Sequence, residues 1–171
     1  MSGVLILSCA LISAASAADD PLPQLRPPNI VLLLADDLGY GDLACYGSRV
    51  HRTPHLDALA TGGMLFTNAY ANAPNCAPTR AALMSGLYAP RTGIYTVNGA
   101  SRGKAKDRKL IPIPNRTDLD ESFVTLAETL SRAGYATGHV GKWHLGGDPR
   151  SHGFDLDRKS TRLNSSHTSI S

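Results

Sequence analysis

Residues 29–37 read NIVLLLADD, a continuously apolar run from Asn29 to Ala35 that follows Pro28 and is closed by two carboxylates, Asp36 and Asp37. A short apolar run without polar alternation fits a strand covered on both faces, the condition of strands in a parallel sheet. Further along, Thr53-Pro54 predicts a helix through Ala60, because threonine can cap and proline suits the first turn; Gly62 and Gly63 stop it. Met64–Ala69 reads as another strand. Thr125 with Glu128 forms a capping box that opens a further helix, with Leu126, Ala127 and Leu130 on one face and Gly134 as its stop. Tyr135–Val140 then reads as a strand running into Gly141. This alternation of strand and helix is the rhythm of an α/β fold with parallel crossovers. Ser101–Asp120 interrupts the rhythm with a long charged stretch broken by Pro112 and Pro114. Loops of that length are usually functional or mobile.

Composition narrows the class. With 171 residues, 42% hydrophobic and 18% charged, the chain has room for one domain. It is neither wholly disordered nor a polytopic membrane protein. The formal charge of +3 arises entirely from Arg158, Lys159 and Arg162, since the remaining 14 Lys and Arg match 14 acidic residues. No nucleic-acid surface is expected from such a balance. Three cysteines, Cys9, Cys45 and Cys76, are too few for a disulfide scaffold.

The two ends differ from the middle. Residues 1–18 read as a signal peptide: Val4–Ile12 is apolar and Ser13–Ala18 is small, although Met1–Gly3 carries no basic residue. The apolar run is too short for a stable membrane span. Residues 19–28, with four prolines, form a linker. From Arg158 the composition turns serine-rich and almost devoid of apolar residues, so 158–171 reads as a non-native or disordered tail. Fold and chemistry are expected in residues 29–157.

Three constellations there carry chemistry, each where a strand ends or a helix begins, the rim at which α/β sheets bind ligands. Asp36 and Asp37 repel unless a cation sits between them, and a hard divalent ion accepts such oxygens; a pair of helix caps would look the same. Asn75–Arg80 reads NCAPTR. Cys76 falls in the turn entering a helix, where free amides favour an anion, and Arg80 one turn on offers a fork of donors. A buried cysteine, or one paired with Cys45, is the plainer alternative. Gly141–Gly146 reads GKWHLG, and in an extended segment Lys142 and His144 face one side, joining a cation to a proton-transfer group.

Taken in order, NIVLLLADDLGYGDLACYG, TPHLDALATGGMLFTNAYANAPNCAPTRAALMSG, YAPRTGIY, TLAETLSRAGYATGHVGKWHLGG and SHGFD resemble the N-terminal part of the type I sulfatases. These are the formylglycine-dependent, arylsulfatase-like enzymes of the alkaline phosphatase superfamily. The resemblance implies a three-layer α/β/α fold with a mostly parallel sheet, of which only the N-terminal portion is present. It implies a sulfuric ester hydrolase acting on sulfate monoesters of small molecules or glycans. Cys76 would be converted to formylglycine by a formylglycine-generating enzyme, and its hydrated form would attack sulfur. Asp36 and Asp37, with residue 76, would be ligands of one calcium ion (Ca2+). Arg80 would stabilise the formylglycine hydroxyls, Lys142 would bridge them to the sulfate, and His144 would take a proton from the diol so that sulfate leaves. The location implied is secreted or periplasmic, or lysosomal in a eukaryote.

Two departures from the family pattern bear on this. The family continues its motif as Leu-x-Thr-Gly-Arg, whereas Leu83, Met84, Ser85, Gly86 and Leu87 stand here, and the missing Arg touches the maturation of Cys76. Family members also take an Asp-Asn pair of calcium ligands, a Lys and a His from a later part of the fold. The chain alone is therefore expected to be inactive and aggregation-prone. The rival readings are a phosphonate or phosphate monoester hydrolase of the same superfamily, and a non-catalytic secreted binding protein that keeps its thiol. The basic Ser101–Asp120 loop is expected at the pocket mouth, helping to select an anionic glycan.

Overall fold

The computed structural model describes residues 27–158 except 100 and 102. The signal peptide, most of the linker and residues 159–171 lie outside that range. The chain divides into two units, residues 1–35 and 36–171.

In the first unit the described residues, 27–35, are irregular, which corrects the expected strand over Asn29–Ala35. Ile30, Val31, Leu32, Leu33 and Leu34 are between 44% and 81% exposed. The physical reason is the one that made the run look like a central strand. A segment apolar on both faces is stable in a sheet only with neighbours on both edges and cover on both faces.

The second unit is built around α2, Cys76–Ser85, whose Ala77, Pro78, Ala81 and Ala82 are buried. Small side chains let neighbouring segments approach closely, and Ala77 and Ala81 form one core with Ile94, Leu119 and Leu145. Met84, Val97, Phe123 and Trp143 pack against that core. Ahead of α2 lies α1, Pro54–Gly62. Thr53 stands at its N-cap but does not cap it. Its hydroxyl instead accepts from the Ala44 amide at 2.9 Å and donates to the Asp57 carboxylate at 2.9 Å, tying the 3₁₀ turn Ala44–Tyr46 to the helix. Met64–Ala69 is not a strand. The Phe66 and Thr67 carbonyls accept tyrosine hydroxyls, from Tyr46 at 2.9 Å and Tyr40 at 3.4 Å, so side chains take acceptors that a ladder would need.

Behind α2 a single-turn helix α3, Ala89–Thr92, leads into the expected long loop, whose described residues are irregular apart from a 3₁₀ turn at Ala105–Asp107. The capping box forms as expected at α4, Leu126–Arg132: the Glu128 amide donates to the Thr125 hydroxyl at 3.1 Å, and the Thr125 amide to the Glu128 carboxylate at 2.8 Å. The following strand is shorter than expected, β1 over Gly138–Val140. It pairs in parallel with β2, Leu156–Arg158, in the register Gly138↔Leu156, His139↔Asp157, Val140↔Arg158. Helix and parallel pair are a partial α/β arrangement, in agreement with the expected fold class.

Candidate active site

Asn75 is extended and Cys76 is the first helical residue of α2, so the thiol stands at the helix mouth. Asn75, at the N-cap position, makes no side-chain cap hydrogen bond there. Cys76 and Cys45 are both free and half-buried, so the disulfide alternative is not formed. One turn into α2, Arg80 points its guanidinium at two partners. Nη1 donates to the Lys142 carbonyl at 2.6 Å and Nη2 to Asp36 Oδ1 at 3.2 Å. The other Asp36 oxygen accepts from Lys142 Nζ at 2.7 Å. Residues separated by 44 and 106 positions in the chain thus share one carboxylate.

The electrostatics follow from this geometry. The Lys142 ammonium, first, and the Arg80 guanidinium hold the Asp36 carboxyl below its ordinary value, against partial burial that pushes the other way. Arg80 is mostly buried, and its Nε is a buried donor with no partner among the described residues. A buried guanidinium with a spare donor beside a helix mouth is suited to a small tetrahedral anion.

The GKWHLG segment departs from the expected extended conformation. Gly141 and His144 have positive φ, 109° and 61°, and Gly146 follows at 67°. The Trp143 indole donates to the Gly146 carbonyl at 2.7 Å, closing the segment into a turn whose Leu145 is fully buried. Lys142 and His144 therefore do not alternate along a strand. Lys142 reaches Asp36 because the turn directs it there, and His144 is half-buried in the same turn.

Asp37 is exposed with φ of 59°. Calcium takes six to eight oxygens at most sites. Among the described residues no three His, Cys, Asp or Glu side chains converge as metal ligands. Both Asp36 oxygens, moreover, are engaged by cations. The donor set among the described residues does not by itself complete a calcium cage; Asp36 and Asp37 are the two carboxylates it could contribute. A formylglycine at position 76 does fit, since the residue stands at an uncapped helix mouth one turn from a spare buried guanidinium donor.

Sequence reasoning missed Asn75 and Asn115. Asn75 Nδ2 donates to Thr96 Oγ1 at 3.1 Å. Asn115 Oδ1 accepts from the Tyr95 and Thr96 amides at 2.7 and 3.0 Å. The available signal was the asparagine immediately before Cys76; for Asn115 the sequence offered only a glycosylation pattern, Asn-Arg-Thr.

Comparison with known proteins fits these observations. The sequence profile of the Sulfatase family matches residues 28–168. N-acetylgalactosamine-6-sulfatase of Sus scrofa is 46% identical over 150 residues, covering 85% of this chain and 27% of that protein. Arylsulfatase A of Homo sapiens is 48% identical over 128 residues, covering 75% and 23%. The crystal structure of Ps i-CgsB superposes with a TM-score of 0.63 at 36% identity, covering 76% of this chain and 27% of that one; that protein has also been solved with k-i-k-neocarrahexaose. The chain thus spans about a quarter of the length of the relatives it matches. A profile that runs through the aspartate pair, the cysteine helix and the GKWHLG turn leaves one assignment: the chain belongs to the sulfatase family.

Proposed function

We propose that this chain is the N-terminal part of the catalytic domain of a sulfuric ester hydrolase that cleaves sulfate monoesters, with Cys76 as the precursor of formylglycine. The observation that carries the reading is the convergence of the α2 mouth, Arg80 and Lys142, with Arg80 bonded to the Lys142 backbone at 2.6 Å. Formylglycine at position 76, once hydrated, supplies an oxygen nucleophile. Arg80 holds anionic oxygen through a planar fork that stays charged at any working pH. Lys142, on a flexible stem, brings a second cation to the same anion and neutralises charge that builds on it. His144 moves the proton that accompanies release of sulfate. Asp36 and Asp37 are proposed as two ligands of a calcium ion completed from outside the described residues, and no step above depends on it.

The proposed substrates are sulfated small molecules or sulfated glycans, with the basic loop over 101–120 favouring anionic glycans. Residues 1–18 support a secreted, periplasmic or lysosomal location. Among the described residues no helix is long and apolar enough to cross a membrane.

Two measurements test the reading. Mass spectrometry of the residue-76 peptide after co-expression with a formylglycine-generating enzyme should show loss of the cysteine sulfur; an intact thiol favours the binding-protein reading. Matched aryl sulfate and aryl phosphate should be hydrolysed with sulfate preferred by a protein that continues through the rest of the fold, and not by the 171-residue chain alone. Phosphate preference would overturn the assignment to sulfate.

A further inference from the structure

We propose that Asn115 is a positioning residue for the Cys76 turn, acting through Thr96 and Asn75. This rests on the reading of Cys76 as the seat of the chemistry. Both ends of the Asn115 carboxamide are used. Its oxygen accepts from the Tyr95 amide at 2.7 Å and the Thr96 amide at 3.0 Å; its nitrogen donates to the Thr96 carbonyl at 3.1 Å and to the Asn98 carbonyl. One side chain therefore fixes both backbone groups of Thr96. A backbone bond from the Arg116 amide to the Gly93 carbonyl at 2.9 Å extends the clamp by one residue. Thr96, so held, presents its hydroxyl to Asn75 Nδ2 at 3.1 Å.

The consequence falls on the helix mouth. Asparagine is among the best N-cap residues, its side-chain oxygen accepting from the second or third helical amide. In α2 the third residue is Pro78, which has no amide hydrogen, so Ala77 is the remaining capping target. Asn75 does not take it. The side chain is turned to Thr96, and its Oδ1 is buried with no partner among the described residues. A good capping residue diverted from its cap is a local conflict of the sort that functional sites tolerate. The diversion leaves the first amides of α2 open beside Cys76, and the residue that enforces it is Asn115, about forty positions away in sequence.

The geometry also takes the Asn115-Arg116-Thr117 sequon out of use in the folded chain. Both hydrogens of the Nδ2 are already donated to carbonyls, and a glycan there would displace one.

The test is the alkylation rate of unconverted Cys76, resolved by peptide mass, with Cys45 as internal reference because both are free and half-buried. Asn115→Ala is expected to slow Cys76 about fivefold while leaving Cys45 unchanged, since the freed Asn75 caps the Ala77 amide and withdraws it from the thiolate. Thr96→Val keeps the backbone clamp and deletes only the hydroxyl that holds Asn75, so it should produce the same selective fall. Thr96→Val decides the matter even if Asn115→Ala fails to fold. The double variant should react no more slowly than the slower single variant, because both act along one path. Cys45 and Cys76 changing together in Thr96→Val, Cys76 reacting faster, or Cys76 staying within twofold of the parent would overturn the proposal. Alkylation reads a thiol and needs neither conversion nor hydrolysis, so a negative result strikes this inference and leaves the sulfatase reading to its own tests.

Discussion

Asp120 shows how single residues anchor the end of the long loop. Its carboxylate accepts from the Ser122 amide at 3.0 Å and from Arg116 Nη1 at 2.8 Å. The Ser122 hydrogen bonds, first, and the Arg116 guanidinium hold its carboxyl down at about 2. A carboxyl depressed on folding contributes stability that is complete above its unfolded value and is lost as pH falls through the folded one. The contribution of Asp120 should therefore persist to about pH 4 and fade toward pH 2. Carboxyl-resolved NMR titration checks this: an Asp120 midpoint close to 4 would show that the loop anchor does not form. Gly146 is a second such residue. A Cβ added there would overlap the Asp118 side chain, and φ is already 67°. Gly146→Ala should cost about 1–3 kcal/mol in urea unfolding, from strain and from displacement of the turn that carries Lys142. A cost below a few tenths of a kcal/mol would mean that the turn relaxes freely.

At the scale of elements, α4 carries the clearest local signal, and its N-cap residue does two jobs. The Thr125 hydroxyl accepts from Glu128 and also donates to the His152 carbonyl at 2.6 Å, in a buried position. Thr125→Ala should thus cost more than an ordinary cap, about 2 kcal/mol, because it also strands a carbonyl; Thr125→Ser should restore most of it. Equal losses in the two variants would place the effect in the methyl group. The contrast among elements explains what the sequence could reveal. The box at Thr125 and Glu128, the entry of α2 at Cys76 and the end of α1 at Gly62 are local, with signals within four residues of the structure they cause. The run over Asn29–Ala35 and that over Met64–Ala69 carry strand composition, but a strand is a relation to a partner, and composition does not supply one. The same limit applies at the site. Cys76 and Arg80 sit one helical turn apart and were readable together. That Lys142 meets Asp36 was not readable, because a turn with three positive-φ residues sets its direction, and alternation assumed a strand.

For the whole molecule, the decisive quantity is apolar surface left in water. Val31 and Leu33 are 81% and 79% exposed, and Met64, Phe66, Tyr70, Leu110 and Ile111 are also exposed. Fully burying one Val or Leu side chain contributes about 1.5–3 kcal/mol, so contiguous exposure of this kind favours association with any surface that covers it. The residues from 29 to 35 are the sharpest case, being continuously apolar and free of regular structure. Such a segment can also pair edge to edge with another copy, and charge is the usual means of preventing that. Replacing Val31 and Leu33 with lysine should therefore suppress self-association of the 171-residue chain in sedimentation velocity by severalfold. Because neither residue belongs to the core of Ala77, Ala81, Ile94, Leu119 and Leu145, the unfolding midpoint in urea should stay within error of the parent. If the double-lysine chain associates as strongly as before, the adhesive surface lies in the second unit, with Met64, Phe66 and the exposed Leu110-Ile111 pair the first positions to change. If instead it loses its unfolding transition, the apolar run is stabilising the folded chain and its exposure is not the property that drives association.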